Sequence, residues 1–532
     1  MKNKYIYLIW FIALLPTMIL RDFTPKNELR YLSIVDEALR NGNIFTFTNQ
    51  GEIYADKPPL HFWLMMIGKM ILGEHRMWYY SLLSIIPAFV VLTTLSKWIR
   101  REDGKSGLIK NDGTTTSLML MTTGLFTGVT LVVRMDMLMN MFIVLSLYTF
   151  YKMFRGEGRK RDEWLFPVFV FLALFSKGPL GILIPFVSTT LFLLYRKRLS
   201  NFKKYWGWKS LLIILAGCII WFTGVYLEGG KEYINDLLVR QTIGRGINSF
   251  HHKEPFYYYA ISIWYSLAPW SLLTIGLIVA GLYKKKINRV SEKFFVTIIL
   301  STLALLSLIS SKLEVYSLPV IPFIIGLSVL LLKKFNLQGR WIRLTIAIPA
   351  VALVFSLPVV FYLNVAKGMH YLGNWLIYAG VGIFTLTGLF TIYFMYLKRD
   401  TYKSINTLAL GILLTVFIIG WSIPQLNSQL GWRNLCEKAG ELSKERQISD
   451  YWVYNISRAE NMDVYLGKDI VKKSREDILK GPLKNRLLIF QSKDIKKDPE
   501  IRSAVQNGEQ YRIGRYRIVV FHNVNKPESC VK

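Results

Sequence analysis

Residues 78–105 read WYYSLLSIIPAFVVLTTLSKWIRREDGK, an apolar run closed by a cluster of lysine and arginine. The run is long enough to cross about 30 Å of hydrocarbon as a helix, and the basic cluster marks where it emerges. The same pattern recurs along the chain. Apolar runs near or above the required length lie at 5–20, 113–133, 136–154, 164–176, 179–195, 210–227, 256–282, 294–310, 315–332, 341–363, 375–397 and 404–424. With 78–96 they make about thirteen spans, each expected to be helical because a backbone in lipid finds no other hydrogen-bond partner.

Composition agrees. Of 532 residues, 52% are hydrophobic and 14% aromatic against 19% charged, and the mean hydropathy is +0.31. The reading is an all-α polytopic membrane protein. Lys and Arg total 66 against 35 Asp and Glu, a net charge of +31. That excess sits in short connections, KWIRREDGK (97–105), RGEGRKR (155–161), YRKRLSNFKK (195–204), YKKKINR (283–289), KKFNLQGR (333–340) and LKR (397–399). Such loops face the cytoplasm, so the charge is topological and no nucleic-acid partner is inferred. The alternate connections, 21–77, 134–136, 177–179, 228–255, 311–314 and 364–374, are poor in cations but hold isolated ionisable residues against apolar sequence, and are assigned to the outer face. Lys2 and Lys4 precede the first apolar run, but no small-x-small cleavage site follows it, so 5–20 is read as an uncleaved span with a cytoplasmic N-terminus.

Residues 425–532 change character. A polar helical stretch, WRNLCEKAGELSKERQ, is followed by DYWVYNI, MDVYLG, RLLIF and GRYRIVVFH, which read as strands of a small soluble α/β domain on the outer side. Two domains are expected, 1–424 and 425–532. Of three cysteines, Cys436 and Cys530 fall in this tail, where a disulfide is permitted but not implied. There is no CxxC pair and no Gly-rich phosphate loop.

The first outer loop, 21–77, carries the chemistry. Thr24-Pro25 reads as a helix start and Asn41-Gly42 as its stop. Leu29, Leu32, Val35 and Leu39 share one side of that helix, which is expected to lie in the membrane interface. A second helix should follow Tyr54-Ala55-Asp56-Lys57-Pro58-Pro59 and end at Gly73. Lys57 and the free N–H groups at its start would converge on an anion, and a lipid phosphate is the anion available at that depth.

These motifs, Asn27-Glu28-Leu29-Arg30-Tyr31, Tyr54-Ala55-Asp56-Lys57-Pro58-Pro59, Lys177-Gly178-Pro179, His252-Lys253-Glu254-Pro255-Phe256 and Lys312 with Tyr316-Ser317-Leu318-Pro319, resemble in order those of the polyprenyl-phosphate-dependent glycosyltransferases. Within them the chain is most similar to the bacterial aminoarabinose-transferase type, related to the protein O-mannosyltransferases of glycosyltransferase family 39. The resemblance spans about 1–424. It implies transfer of a sugar from undecaprenyl phosphate to lipid A, another glycan or protein at the outer face of the bacterial inner membrane. Relatives usually begin the first motif with Asp-Glu; this chain has Asn27-Glu28.

Cations fixed in a partly dry site stabilise charge growing on a leaving lipid phosphate. Arg30, Lys57 and Lys177 are expected to do so, with Tyr31, Tyr54, Lys312 and Tyr316 assisting. Glu28 is the expected base, beside Asn27 and Asp56. A phosphate leaves without a general acid, so no cofactor is required, while an acceptor already ionised would need no base. Arg134 and Asp136 are read as supporting residues, and Arg240, Arg245, His252 and Glu254 as acceptor contacts. His251-His252 with Glu254 leaves a divalent metal open.

Plainer readings stand beside these. Asp56-Lys57 also fits a salt bridge at a helix start, Arg30 a headgroup anchor by snorkelling, and Arg134 with Asp136 a structural ion pair. A lipid-phosphate flippase would use the same cations, but should show internal repeats or paired broken spans, which the sequence lacks.

Overall fold

The computed structural model describes residues 3–103, 112–238, 254–448, 450–468, 470–480 and 485–521. They form two compact units. One, the helical unit, comprises Met1–Ile19, Asn43–Thr46 and Ile53–Ser422; the other, the sheet unit, comprises Leu20–Gly42, Phe47–Glu52 and Ile423–Lys532. The second unit takes the chain from Ile423 onward together with two pieces of the first outer loop.

The protein is a multi-spanning membrane protein. In the helical unit, eight helices are long and apolar enough to cross a bilayer among the described residues: Met77–Glu102, Met135–Phe154, Trp208–Leu238, Val290–Leu308, Glu314–Leu332, Arg340–Val365, Trp375–Tyr396 and Thr401–Gly420. Lys4–Leu20, Leu60–Leu72, Leu180–Tyr195 and Ser271–Tyr283 are shorter and equally apolar. Glu314–Leu332 is 94% enclosed by protein, whereas Trp208–Leu238 and Arg340–Val365 are each only 17% enclosed. The first is therefore central and the other two present most of their surface to lipid. At the core, Trp98 packs edge-on to Phe295, centroids 4.9 Å apart, and against Tyr148 and Tyr151 at 5.0 Å.

Two expected spans are broken. The run 113–133 divides into Asp112–Met121 and Gly124–Thr130, and 256–282 into Tyr258–Ser266 and Ser271–Tyr283. Pro269, which has no N–H to give a helix, lies in the second gap. The breaks satisfy one another: the Gly124 N–H donates to the Ala268 carbonyl at 2.8 Å, and the Trp270 indole N–H donates to the Thr122 hydroxyl at 3.0 Å. Irregular backbone at membrane depth survives where protein replaces the lost partners.

In the sheet unit, five strands run in the order Ile470–Lys473, Tyr451–Tyr454, Arg486–Gln491, Tyr516–Phe521, Glu509–Ile513. The first three are mutually parallel and the last two pair antiparallel. MDVYLG is not the strand its pattern suggests: Asp463–Leu466 is a helical turn that follows Ala459–Met462 directly and ends at Gly467, whose φ is 64°.

The first-loop helix runs Glu28–Asn41 and ends at Gly42, whose φ of 73° is glycine's natural territory. It begins three residues later than Thr24-Pro25 suggests, because Thr24 instead gives its N–H to the Glu28 carboxylate at 2.6 Å. Its apolar side, with Leu29, Leu32 and Val35 wholly buried, is covered by protein rather than by a lipid interface. It packs on Ala459–Met462 and Asp463–Leu466, and the Ser33 hydroxyl donates to Asp463 at 2.9 Å.

Candidate functional site

The site in the helical unit is built where two helices change over. Asp162–Lys177 ends at Gly178, whose φ of 117° stops the helix, and Leu180–Tyr195 starts behind Pro179. Lys177 is therefore the last helical residue, and its ammonium reaches the carboxylate of Asp136 in the first turn of Met135–Phe154. Arg134 donates from Nε to the other Asp136 oxygen at 2.9 Å. Asp136 is 1% exposed. A carboxylate so enclosed is tolerable only with such partners, and its place in a helix's first turn adds the favourable end of the helix dipole. Lys177 also lies 4.4 Å from the ring centroid of Tyr316, a cation–π contact that fixes its other side.

Lys177 and Tyr316 open onto a cavity of about 490 Å³, which Asp56, Lys57 and Ser311 also line. Lys57 Nζ is 3.8 Å from Asp56. The Tyr54 hydroxyl points to Asp56 at a long 3.4 Å, and the Tyr54 carbonyl is held by the Tyr233 hydroxyl at 3.0 Å. The rest of the wall is apolar: Leu174, Leu180, Leu183, Trp221, Phe222 and Leu237. Counting Arg134, Lys57 and Lys177 against Asp56 and Asp136 gives three cations to two carboxylates, a net charge of +1 at the polar end. An anionic head on a long apolar tail matches that division.

Of the residues expected to act together, Asp56, Lys57, Lys177 and Tyr316 line one cavity, with Arg134 and Asp136 immediately behind Lys177. Lys312 does not line it; it is buried and donates from Nζ to the Glu254 carbonyl at 2.9 Å, tying two loops together. Asn27, Glu28, Arg30 and Tyr31 belong to the sheet unit. There Arg30 lies over the Tyr31 ring at 5.8 Å. Glu28, expected as the base, is 1% exposed, and its oxygens accept from both terminal nitrogens of Arg21, at 2.6 and 2.7 Å, as well as from Thr24 N. So held, Glu28 fastens Arg21 and Thr24 to the start of Glu28–Asn41. Arg240, Arg245 and His252 lie outside the described residues, as do His251 and Cys530. Among the described residues no group of His, Cys, Asp and Glu could hold a metal ion.

Sequence reasoning missed the aromatic wall of Trp221 and Phe222, which mid-span residues do not announce. It also missed Glu228, which accepts the backbone N–H groups of Ile44, Phe45 and Thr46, each at 2.6 Å. A lone acid followed by Gly229-Gly230 at a span end was the available signal.

Comparison with known proteins adds a second line. A family profile described as dolichyl-phosphate-mannose-protein mannosyltransferase matches residues 56–222. An uncharacterized protein of Aquifex aeolicus is 27% identical over 367 residues, 65% of this chain and 70% of that protein. An undecaprenyl phosphate-alpha-4-amino-4-deoxy-L-arabinose arabinosyl transferase of Pseudomonas fluorescens is 23% identical over 452 residues, 82% of this chain and 76% of its own. The crystal structure of ArnT from Cupriavidus metallidurans bound to undecaprenyl phosphate shares the fold, with a TM-score of 0.75 at 16% identity over 98% of both chains. The ordered motifs and a family match that begins at Asp56 itself are similar to those of the polyprenyl-phosphate-dependent membrane glycosyltransferases, and the fold is shared end to end with that of ArnT.

Proposed function

We propose that the protein transfers a sugar, as the arabinosyl transferase relatives are named to do, from undecaprenyl phosphate to a lipid A-type glycolipid at the periplasmic face of the bacterial inner membrane. The N-terminus is then cytoplasmic and the sheet unit periplasmic. The observation that carries this reading is the cavity: a polar end with Lys57, Lys177 and Tyr316 and an apolar wall for a prenyl chain.

In this scheme the acceptor oxygen attacks the anomeric carbon, the bond from that carbon to the phosphate oxygen breaks, and undecaprenyl phosphate departs with the added negative charge. Lys57 and Lys177 stand where that charge develops, held there before the reaction begins, which is what makes fixed cations effective. Asp136 and Tyr316 keep Lys177 from swinging away. Asp56 is the carboxylate lining the cavity among the described residues and takes the proton of a hydroxyl acceptor. The scheme requires no cofactor.

The test is purified enzyme with undecaprenyl phosphate carrying radiolabelled aminoarabinose, offered lipid A, other glycolipids and protein. Label moving to a lipid with release of undecaprenyl phosphate supports the reading. Label moving to protein would favour the acceptor class of the matched family's description. Donor crossing a sealed vesicle uncleaved would instead mean a flippase.

A further inference from the structure

At the far end of the helical unit a second groove of about 530 Å³ is cut between Leu180–Tyr195, Ser271–Tyr283 and Val290–Leu308. Its place follows from the helices. Leu180 and Leu183 line the donor cavity, while Leu191 and Tyr195 line this groove, so one helix of 16 residues, roughly 23 Å long, reaches from one to the other. Val290–Leu308 repeats the relation in reverse: Lys293 lines the groove near its start, and Ile309 and Ser311 line the donor cavity just past its end.

The groove has two kinds of wall. Leu191, Leu282 and Leu300 are apolar and exposed on the outside of the bundle, where lipid chains lie. Lys285, Lys293 and Asn288 form its polar end, in the basic connection 283–289 and the helix that follows. Among the described residues neither lysine has a carboxylate within ion-pair distance, although neighbours are spent internally: Lys286 bonds to the Lys334 carbonyl, and Lys334 pairs with Glu292. Lys293 instead sits 6.0 Å from the ring centroid of the exposed Tyr195. The polar floor is closed to other use, since the Ser301 hydroxyl is bonded to Ser188 at 2.8 Å.

We propose that this groove binds an anionic phospholipid of the cytoplasmic leaflet, its phosphate between Lys285 and Lys293 and an acyl chain along Leu191 and Leu300. The charge calls for an anion, the apolar wall continuous with the lipid-facing surface calls for a chain attached to it, and basic pockets between spans at the cytoplasmic side are where such headgroups settle. The site is separate from the donor cavity and stands or falls independently of the transfer chemistry.

The full chain is reconstituted in phosphatidylcholine nanodiscs doped with spin-labelled phosphatidylglycerol or spin-labelled phosphatidylcholine, and the motionally restricted fraction of each is measured. Wild type should hold phosphatidylglycerol preferentially. Lys285→Gln should weaken that preference about fivefold, and Lys285→Gln with Lys293→Gln roughly 25-fold, with the thermal melt and sugar transfer unchanged. Leu300→Trp, which fills the groove and keeps both charges, should also displace the labelled lipid. Equal retention of the two lipids, a preference that survives the double substitution, or competition by inorganic phosphate as strong as by short-chain phosphatidylglycerol would overturn the proposal.

Discussion

Asp136 stands between Lys177 and Arg134, each cation on its own carboxylate oxygen, so the lysine that faces the donor cavity is positioned from behind by an acid that does not line it. Asp136→Asn should therefore act through Lys177. Breaking one side of an enclosed ion pair costs about 3–5 kcal/mol, which a thermal melt in detergent would read as a marked destabilisation. Removing one donor to a developing oxyanion costs about 10²–10³ in kcat, the loss expected of Lys177→Ala. The double variant should be scarcely slower than the worse single. Independent, multiplying losses would show that the two residues do not act as one device.

Asp56 and Glu28 separate cleanly. With a hydroxyl acceptor, Asp56→Asn should lower kcat by roughly 10²–10⁴ while the protein melts normally. Glu28→Gln leaves Arg21 enclosed without its counter-charge, so its effect should be on the melt of the sheet unit, with transfer per folded molecule close to wild type. A silent Asp56→Asn would point to an acceptor that arrives ionised.

Trp221 lines the donor cavity and packs edge-on to Phe175, centroids 5.6 Å apart. Trp221→Ala removes wall that a prenyl chain would cover, so KM for a full-length undecaprenyl donor should rise, by about 10–150-fold if some 1.5–3 kcal/mol of burial is lost. KM for a donor with a chain of only a few isoprene units should change far less. Equal effects on both donors would remove the chain from that wall.

Asp463 carries a pH dependence in the sheet unit. Burial raises its carboxyl to about 6 from the ordinary 3.8, against the hydrogen bond from Ser33 that favours the ion. Between those values the unfolded chain has given up the proton and the folded one has not. Stability is therefore highest at acid pH and falls as pH rises through about 6, by roughly 3 kcal/mol in all. Hydrogen exchange in Glu28–Asn41, corrected for its intrinsic rate, should show protection declining from pH 4 to 7, and Asp463→Asn should flatten the curve. A rising or flat wild-type curve would contradict this.

The helices were legible because spans of the required length cannot hide, and basic connections mark their ends. What escaped the sequence was long-range satisfaction. Nothing near Thr122 or Ala268 says that two helices stop in order to bond each other. The strand reading of MDVYLG failed because alternation over so few residues is weak, and the segment continues the turn begun at Ala459 and stops at Gly467. In the site, Lys57 and Lys177 stood out as cations in apolar company and Tyr316 through its motif, and the three line one cavity. The pairing of Glu28 with Arg21 was not legible, because Arg21 sits seven residues earlier, at the very start of the outer loop.

The mutual bond of the two broken spans has a mechanical corollary. Bonded through Gly124 to Ala268 and through Trp270 to Thr122, they resist being drawn apart at the breaks. Room for a bulky lipid to enter or leave the donor cavity has then to come from a wall without such a pin. Trp208–Leu238 offers such a wall only in its middle: there it is mostly free of protein on its outer side and carries Trp221 and Phe222 into the cavity, whereas beyond them Glu228 and Tyr233 fasten it to Ile44–Thr46 and to the Tyr54 carbonyl.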